Sequence, residues 1–397
     1  MATLLLATIP ANAFWSAALT MLGGYIDSKL FGPHVTQEVG KMSDLQMQTA
    51  SYGAPIPLIL GTCRSTGNVI WSTKFVEHTK TETQGGKGGG GGVTTTTYSY
   101  TVSFAVGICQ GPITAIGRVW ADGKLVDLAK YQHTVYLGGD TQTPDSWMEA
   151  VEGAGNVPAF RGLAYIVFKD LAIGDFGNRI PSFSFEVTRQ IDNVKALVET
   201  VSLSAGLQYT DVDASDLEGL AITGISSAGD QTRRSIIEQL QAVFLFDAIE
   251  RSGKIVFKRR NANTAYEIPD EYLGAYETSP PNEPYTLQYK DERELPRRLT
   301  INYLSKDKDY QQGTMSAYRQ ITQSKNEQTV SVQMVMADTD AKQLAEVRLF
   351  EEWQNRKTLS LTLSNQFGWL LPGDIVKVPI QEQKQNFMIT KTTYGKP

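Results

Sequence analysis

Residues 68–110 read NVIWSTKFVEHTKTETQGGKGGGGGVTTTTYSYTVSFAVGICQ. On the N-terminal side Val69, Trp71 and Phe75 share one face, with polar residues among those opposite. The run from Val93 to Val106 is β-branched and aromatic throughout. Both patterns specify strands, so the stretch predicts a long β-hairpin. Its tip is Gly85, Gly86, Lys87, Gly88, Gly89, Gly90, Gly91 and Gly92. Glycine imposes almost no backbone preference, so the tip is expected to stay mobile unless a neighbour orders it. A long hairpin with such a tip is suited to reaching another subunit, and these residues are candidate interaction residues. A surface hairpin with a loose loop is the plainer alternative.

Working outward, short strands follow in quick succession. Ile113–Ala121 and Leu125–Val126 flank a turn at Asp122-Gly123, a hairpin signal. Thr134–Leu137, Ala164–Lys169 and Ser182–Val187 are further strands, and upstream Tyr52–Gly61 opens the region. At Gln190 the period changes. Asp192 is placed to cap a helix carrying Val194, Leu197, Val198 and Val201, with Gly206 as its stop. A second helix carries Ile236, Ile237, Leu240, Val243 and Phe244, and a hairpin turning at Arg251-Ser252-Gly253 follows. Pro280-Pro281-Asn282-Glu283-Pro284 reads as a linker. Beyond it strands resume at Arg298–Leu304 and Gln328–Val335. A helix from Asp340, capped by Asp338 or Thr339, has Ala341, Leu344, Ala345, Val347, Leu349, Phe350 and Trp353 on a wide apolar arc. Strands at 358–363, 374–378 and 386–390 complete the reading. The expected fold class is mainly β with an α+β insert: a β domain at 34–190 with the long hairpin, a small α+β domain at 191–285 and a second β domain at 286–397.

With 397 residues, 41% hydrophobic and 20% charged, the chain has the composition of a folded protein of two or three domains. The net charge of -5 supplies no broad basic face for gripping nucleic acid. Cys63 and Cys109 sit in strand-like contexts without a second ligand, and a reduced state is expected. His34, His78 and His133 match no metal spacing. The glycine run lacks the order of a phosphate-binding loop and joins strands instead of opening a helix. Asp170 and Asp175 suggest a glycosidase pair only on paper, because Gly174 and Gly177 mark the segment as a turn. No catalytic residue, metal site or cofactor is therefore expected, which points to a structural role.

The first 26 residues carry no charged side chain, and Phe14 to Ile26 is mostly apolar. Lys29, the first basic residue, follows the apolar core, whereas a secretory signal places its positive charge before it. Pro10 and Gly23-Gly24 interrupt a membrane span. Residues 1–33 are read as an apolar helix buried against partner subunits or a lumen, with Phe14, Trp15, Ala18 and Leu22 as candidate contacts. A membrane-active segment and a signal are the alternatives.

Several blocks carry a family likeness: Asp44–Gly61, Tyr98–Ile113, Arg118–Lys124, Phe176–Val187, Ala345–Trp353 and Trp369–Val376. In these the chain resembles the central tail-tip, or baseplate hub, proteins of long-tailed bacteriophages and gene transfer agents. The resemblance implies a homotrimer at the distal end of the tail tube, with two tail-tube-like β-barrel domains per subunit matching a six-fold ring above. It implies as partners a distal tail protein ring, other tail-tip and fibre proteins, a tape measure protein in the lumen, DNA only in transit, and contact with a host membrane. The implied location is the tail tip of a virion assembled in host cytoplasm, and the implied function is to end the tube, close or narrow its channel and anchor distal proteins. Some members carry a peptidoglycan-cleaving domain, so a cell-wall hydrolase or membrane-penetrating component is the alternative. The stop at Pro397 leads to the expectation of a short hub or a piece of a longer one.

Overall fold

The computed structural model describes residues 36–39, 55–84, 93–229, 231–260, 265–273, 285–381 and 383–393. Phe14, Trp15, Ala18, Leu22 and the tip from Gly85 to Gly92 lie outside the described residues, as does the apolar helix expected at 1–33.

The first stretch holds β1 (Thr36–Val39), β2 (Leu58–Thr66), β3 (Asn68–Ser72), β4 (Val76–Gln84), β5 (Val93–Gln110), β6 (Ala115–Ala121), β7 (Lys124–Val126) and β8 (His133–Tyr136). Helix α1 (Ser146–Glu152), β9 (Leu163–Ala172) and β10 (Phe183–Arg189) follow. Next come α2 (Val194–Ser204), β11 (Val212–Asp213), β12 (Gly224–Ser227), α3 (Arg233–Phe244), β13 (Phe246–Arg251), β14 (Lys254–Arg259) and β15 (Tyr266–Glu267). The last stretch holds β16 (Tyr285–Tyr289), β17 (Pro296–Ser305), β18 (Gln311–Tyr318), β19 (Asn326–Met336), α4 (Asp338–Gln354), β20 (Lys357–Leu361), β21 (Ile375–Ile380) and β22 (Gln383–Met388). The protein is mainly β, as its sequence implies.

Two large sheets stack, and helices cover the second. In the six-stranded sheet β5 is the spine, pairing with β1, β3, β4 and β9, and β9 pairs with β8. The eight-stranded sheet runs β18-β17-β19-β12-β2-β10-β6-β7. Strand β2 shows why the layers hold together. Leu58 and Leu60 face the helices, packing with Val198, Leu240 and Trp353, while Ile59 and Cys63 turn into the space between the sheets. There Phe104, Phe168 and Phe183 stack with ring centroids 4.6–6.0 Å apart, each wholly or nearly buried. Burying each of these rings stabilises the fold by about 1.5–3 kcal/mol before ordering costs.

The structure departs from the closed barrels implied by the resemblance. The eight-stranded sheet is open, and it draws strands from 34–190, 191–285 and 286–397 alike. The join lies between β2 and β12, where Gly61 opposes Gly224. A Cβ on Gly224 would sit 2.3 Å from the Thr62 carbonyl oxygen, and one on Gly61 would lie 2.5 Å from that of Thr223. Only the missing side chains let these backbones meet, and β12 then carries the ladder across to β19. A smaller unit, with β15-β21-β22 and the β16-β20 pair, surrounds Ile268, Leu370, Val376, Val378 and Ile380.

The helical expectations hold with local corrections. Val194, Leu197, Val198 and Val201 are all buried, but the cap of α2 is Asn193, whose side chain accepts from the Ala196 amide, not Asp192. Helix α4 starts at Asp338 with Ala337, which has no side-chain acceptor, in the capping position, and the Asp338 carboxylate is engaged instead by the hydroxyls of Tyr303 and Ser305. On the expected apolar arc of α4, Ala341, Leu344, Ala345, Leu349 and Trp353 are buried, whereas Val347 and Phe350 face solvent.

Candidate interaction surfaces

The hairpin is present as predicted, its register running from Val76↔Thr101 to Gln84↔Val93. Strand β9 accompanies β5 only as far as Thr101↔Ala172. Past that point β4 and β5 continue as an arm, and β1 adds in parallel to the other side of β5 over Thr94–Thr97. The arm is rich in threonine, with facing pairs Thr81/Thr96 and Thr83/Thr94, and its exposed Lys80 and Glu82 form an ion pair at 2.7 Å. Charged, threonine-rich strands carry β propensity without an apolar face.

A charged cluster fastens the β17–β18 turn onto the first β region. Arg118 donates to Glu186 at 2.8 Å and to Asp309 at 2.7 Å. The Tyr310 hydroxyl also donates to Glu186, at 2.9 Å, and burial beside that carboxylate pushes the phenol up to about 12. Arg64 lies over the Trp120 ring, 4.1 Å from its centre, and donates to the Asp309 carbonyl. A second tie joins the smaller unit to the β13–β14 hairpin. Asp374, almost fully buried, accepts from Lys258 at 3.0 Å, from Arg251 at 3.4 Å and from the Leu371 amide at 3.0 Å. Burial alone would raise its pKa, but the Leu371 amide and Lys258 outweigh it and the net direction is downward.

Two grooves flank α4. One, of about 320 Å³, is lined by Ile222, Phe244, Met334, Leu344 and Val347 among others. The other, of about 470 Å³, lies between α4 and the edge strand β18, between Ala317, Tyr318, Arg319, Gln320, Lys342, Glu346, Leu349 and Phe350. Tyr318 is 58% exposed and Phe350 61%.

The residues weighed for chemistry take structural places. Asp170, with φ 46, accepts from the Ser103 hydroxyl and returns its amide to the same oxygen, so it shapes the strand end. His78 bonds the Thr101 hydroxyl and His133 the Tyr131 carbonyl, while His34 lies outside the described residues. Cys63 and Cys109 are free, and burial pushes their thiols up to about 12 and about 11, in Cys109 against the opposing pull of Arg189. Among the described residues no three His, Cys, Asp or Glu side chains gather as a metal-binding group, and no helix is long and apolar enough to cross a membrane.

Residues 232–392 match the family described as putative phage tail protein. The fold matches a chain in the virion of a native gene transfer agent particle with TM-score 0.75 and 26% identity, over 96% of this chain and 94% of that one. Together the two likenesses support a phage tail-tip protein. The same likenesses support a component of a virion tail. The 43 kDa tail protein of prophage MuSo2 from Shewanella oneidensis aligns over 83% of this chain and 91% of that one, at 11% identity and TM-score 0.32, too slight a likeness to add to this. Among the curated proteins none matches its sequence. The matched region begins at α3 and takes in the β18 edge, the whole groove between α4 and β18, part of the other groove and the Asp374 tie. Sequence reading missed those grooves because Val347 and Phe350 fit the buried arc by spacing alone, and only the packing of α4 shows that they face out.

Proposed function

We propose that this tail protein is a non-enzymatic hub: three copies form a ring that ends the tail tube, narrows the DNA channel and anchors distal tail and fibre proteins. The observation that carries this reading is the match to the gene transfer agent virion chain over nearly the full length of both chains. The open sheet edges suit it as well, since strand edges left free in one subunit are the simplest surface for joining neighbours in a closed ring. The stretches 34–190 and 286–397 each contribute a set of strands to the wall, joined through β12 of 191–285, so three copies offer six such sets to the tube above. Closure of the wall then takes place between copies. The tape measure protein occupies the lumen before release and DNA passes through it, a passage that the net charge of -5 leaves unhindered by broad attraction. The uncharged N-terminal segment packs inside the ring and meets the host membrane on release.

Mass photometry of the purified chain, with imaging of particles that carry a tagged copy, tests the reading. A trimer at the tail tip is the expected result. A dimer, or a label along the tube or at the head, would overturn it. Incubation with peptidoglycan should release no muropeptides, and release would move the protein to the hydrolase class.

A further inference from the structure

The β18 edge lies open beside the groove under α4. Strand β18 is the last of the eight-stranded sheet, paired among the described residues only with β17. The Arg319 amide donates to the Arg297 carbonyl, which fixes the hydrogen-bonding parity of this antiparallel pair. Gln312, Thr314, Ser316 and Tyr318 therefore turn their amides and carbonyls outward. The outward Ser316 carbonyl accepts from the Lys342 ammonium at 3.1 Å, a side chain standing where a partner strand's amide would donate. Helix α4 supplies the opposite wall with Glu346, Leu349 and Phe350. An edge strand with a helix alongside is the geometry into which an extended peptide adds as a further strand.

We infer that this site receives β4 of a second copy, the outer edge of its hairpin arm. This rests on the proposed ring and names the contact within it. The Tyr100 carbonyl accepts from the Ile173 amide on the β9 side, so in the β4–β5 pair the backbone of Glu77, Thr79, Thr81 and Thr83 turns outward on β4. That edge is unpaired among the described residues. Strand β4 has 9 residues and β18 has 8, so at roughly 3.3 Å per residue both span about 26–30 Å. The charges match in kind and can exchange partners: β4 carries the Lys80–Glu82 ion pair, and the groove carries the Lys342–Glu346 pair with Arg319 beside it. The arm also needs a partner, since its Thr79–Thr83 and Thr94–Thr97 segments contribute nothing to an apolar core and narrow ribbons are marginal alone. Because β4 and β18 are different surfaces, the contact is head to tail and propagates around a ring.

The buried native thiols allow a cysteine test in the full-length chain. Copies carrying Thr81→Cys or Thr79→Cys are mixed with copies carrying Thr314→Cys and oxidised mildly. A disulfide-linked species of two chains, formed in the mixture and at least tenfold less with each variant alone, is expected. Absence of that species for both arm positions, or an equal yield when Leu125→Cys on the opposite edge replaces Thr314→Cys, overturns the inference. Thr314→Pro gives a second readout, because it removes an outward amide while sparing the ladder to β17. It should leave the far-ultraviolet circular dichroism spectrum intact and dissociate the oligomer to monomers, and an oligomer that persists also overturns the inference. A trimer by mass photometry without the cross-link leaves the ring reading standing and removes this contact, whereas the cross-link in a particle of another stoichiometry does the reverse.

Discussion

Asp374 ties two units by accepting from Lys258, Arg251 and the Leu371 amide while only 3% of its side chain is exposed. Asp374→Asn keeps the shape and removes the charge, leaving the partly buried Lys258 without this counter-ion. We expect a loss of about 2–4 kcal/mol, read as a lower urea midpoint at unchanged slope; a shift below about 0.5 kcal/mol would show that the tie is ornamental. Asp338 leads to a pH-dependent expectation. Hydrogen bonds from Tyr303, Ser305 and Lys308 hold its carboxyl down at about 2. A carboxyl depressed in the fold stabilises it fully above the unfolded pKa near 3.8, and that contribution is lost as pH falls towards 2. Between pH 4 and 2 the melting temperature of Asp338→Asn should fall less steeply than that of the parent, and parallel curves would refute the assignment. Neither role was legible in the sequence. Asp338 looks like a helix cap, and nothing local to Asp374 announces that residues more than a hundred positions away will face it.

Among elements, the sequence was most informative where a strand or helix pattern is local. The β4–β5 hairpin, the Asp122-Gly123 turn with φ of 50 and 79, and the buried faces of α2 and α3 all follow from spacing and turn chemistry. What escaped was short or long-range. Strand β12 has only four residues, and its place depends on the Gly61/Gly224 approach across more than a hundred residues. Helix α1 has seven residues capped by Asp145, too short for a period to show. Gly85–Gly92 and Phe14, Trp15, Ala18 and Leu22 stand out in the sequence by glycine content and apolarity, whereas the free edge of β18 is a matter of sheet order that no periodicity carries. The hairpin register supplies its own test. Gln84 and Val93 are directly paired, so replacing residues 85–92 with Asn-Gly closes the arm with a two-residue turn. The melting temperature of the isolated chain should change by less than about 3 °C, because the loop adds no apolar burial to the core. A drop of ten degrees or more would mean that the glycine run is part of the fold.

For the whole molecule, the arrangement is a single subunit with unfinished edges. The eight-stranded sheet ends at β18 and β7, the arm projects from the other sheet, and 34–190 is bound to 286–397 by the shared sheet and by Arg118, Glu186, Asp309 and Tyr310. Rigid coupling of this kind lets a ring of copies act as one wall. The segment before β1 then has a distinct part to play. Its 26 uncharged residues include enough large apolar side chains that burying half of them would contribute roughly 10 kcal/mol per subunit before ordering costs. Leaving them in water would forgo that stabilisation, whereas three copies meeting at the axis of a ring would realise it and narrow the channel. Mass spectrometry of purified particles should therefore find the mature chain beginning at Met1 or Ala2. Particles assembled with residues 2–33 deleted should still carry the ring but lose retention of DNA, measured as nuclease-accessible genome. An N-terminus near Phe14 would show that the segment is removed as a signal, and deletion particles that hold their DNA as well as the parent would show that it does not plug the lumen.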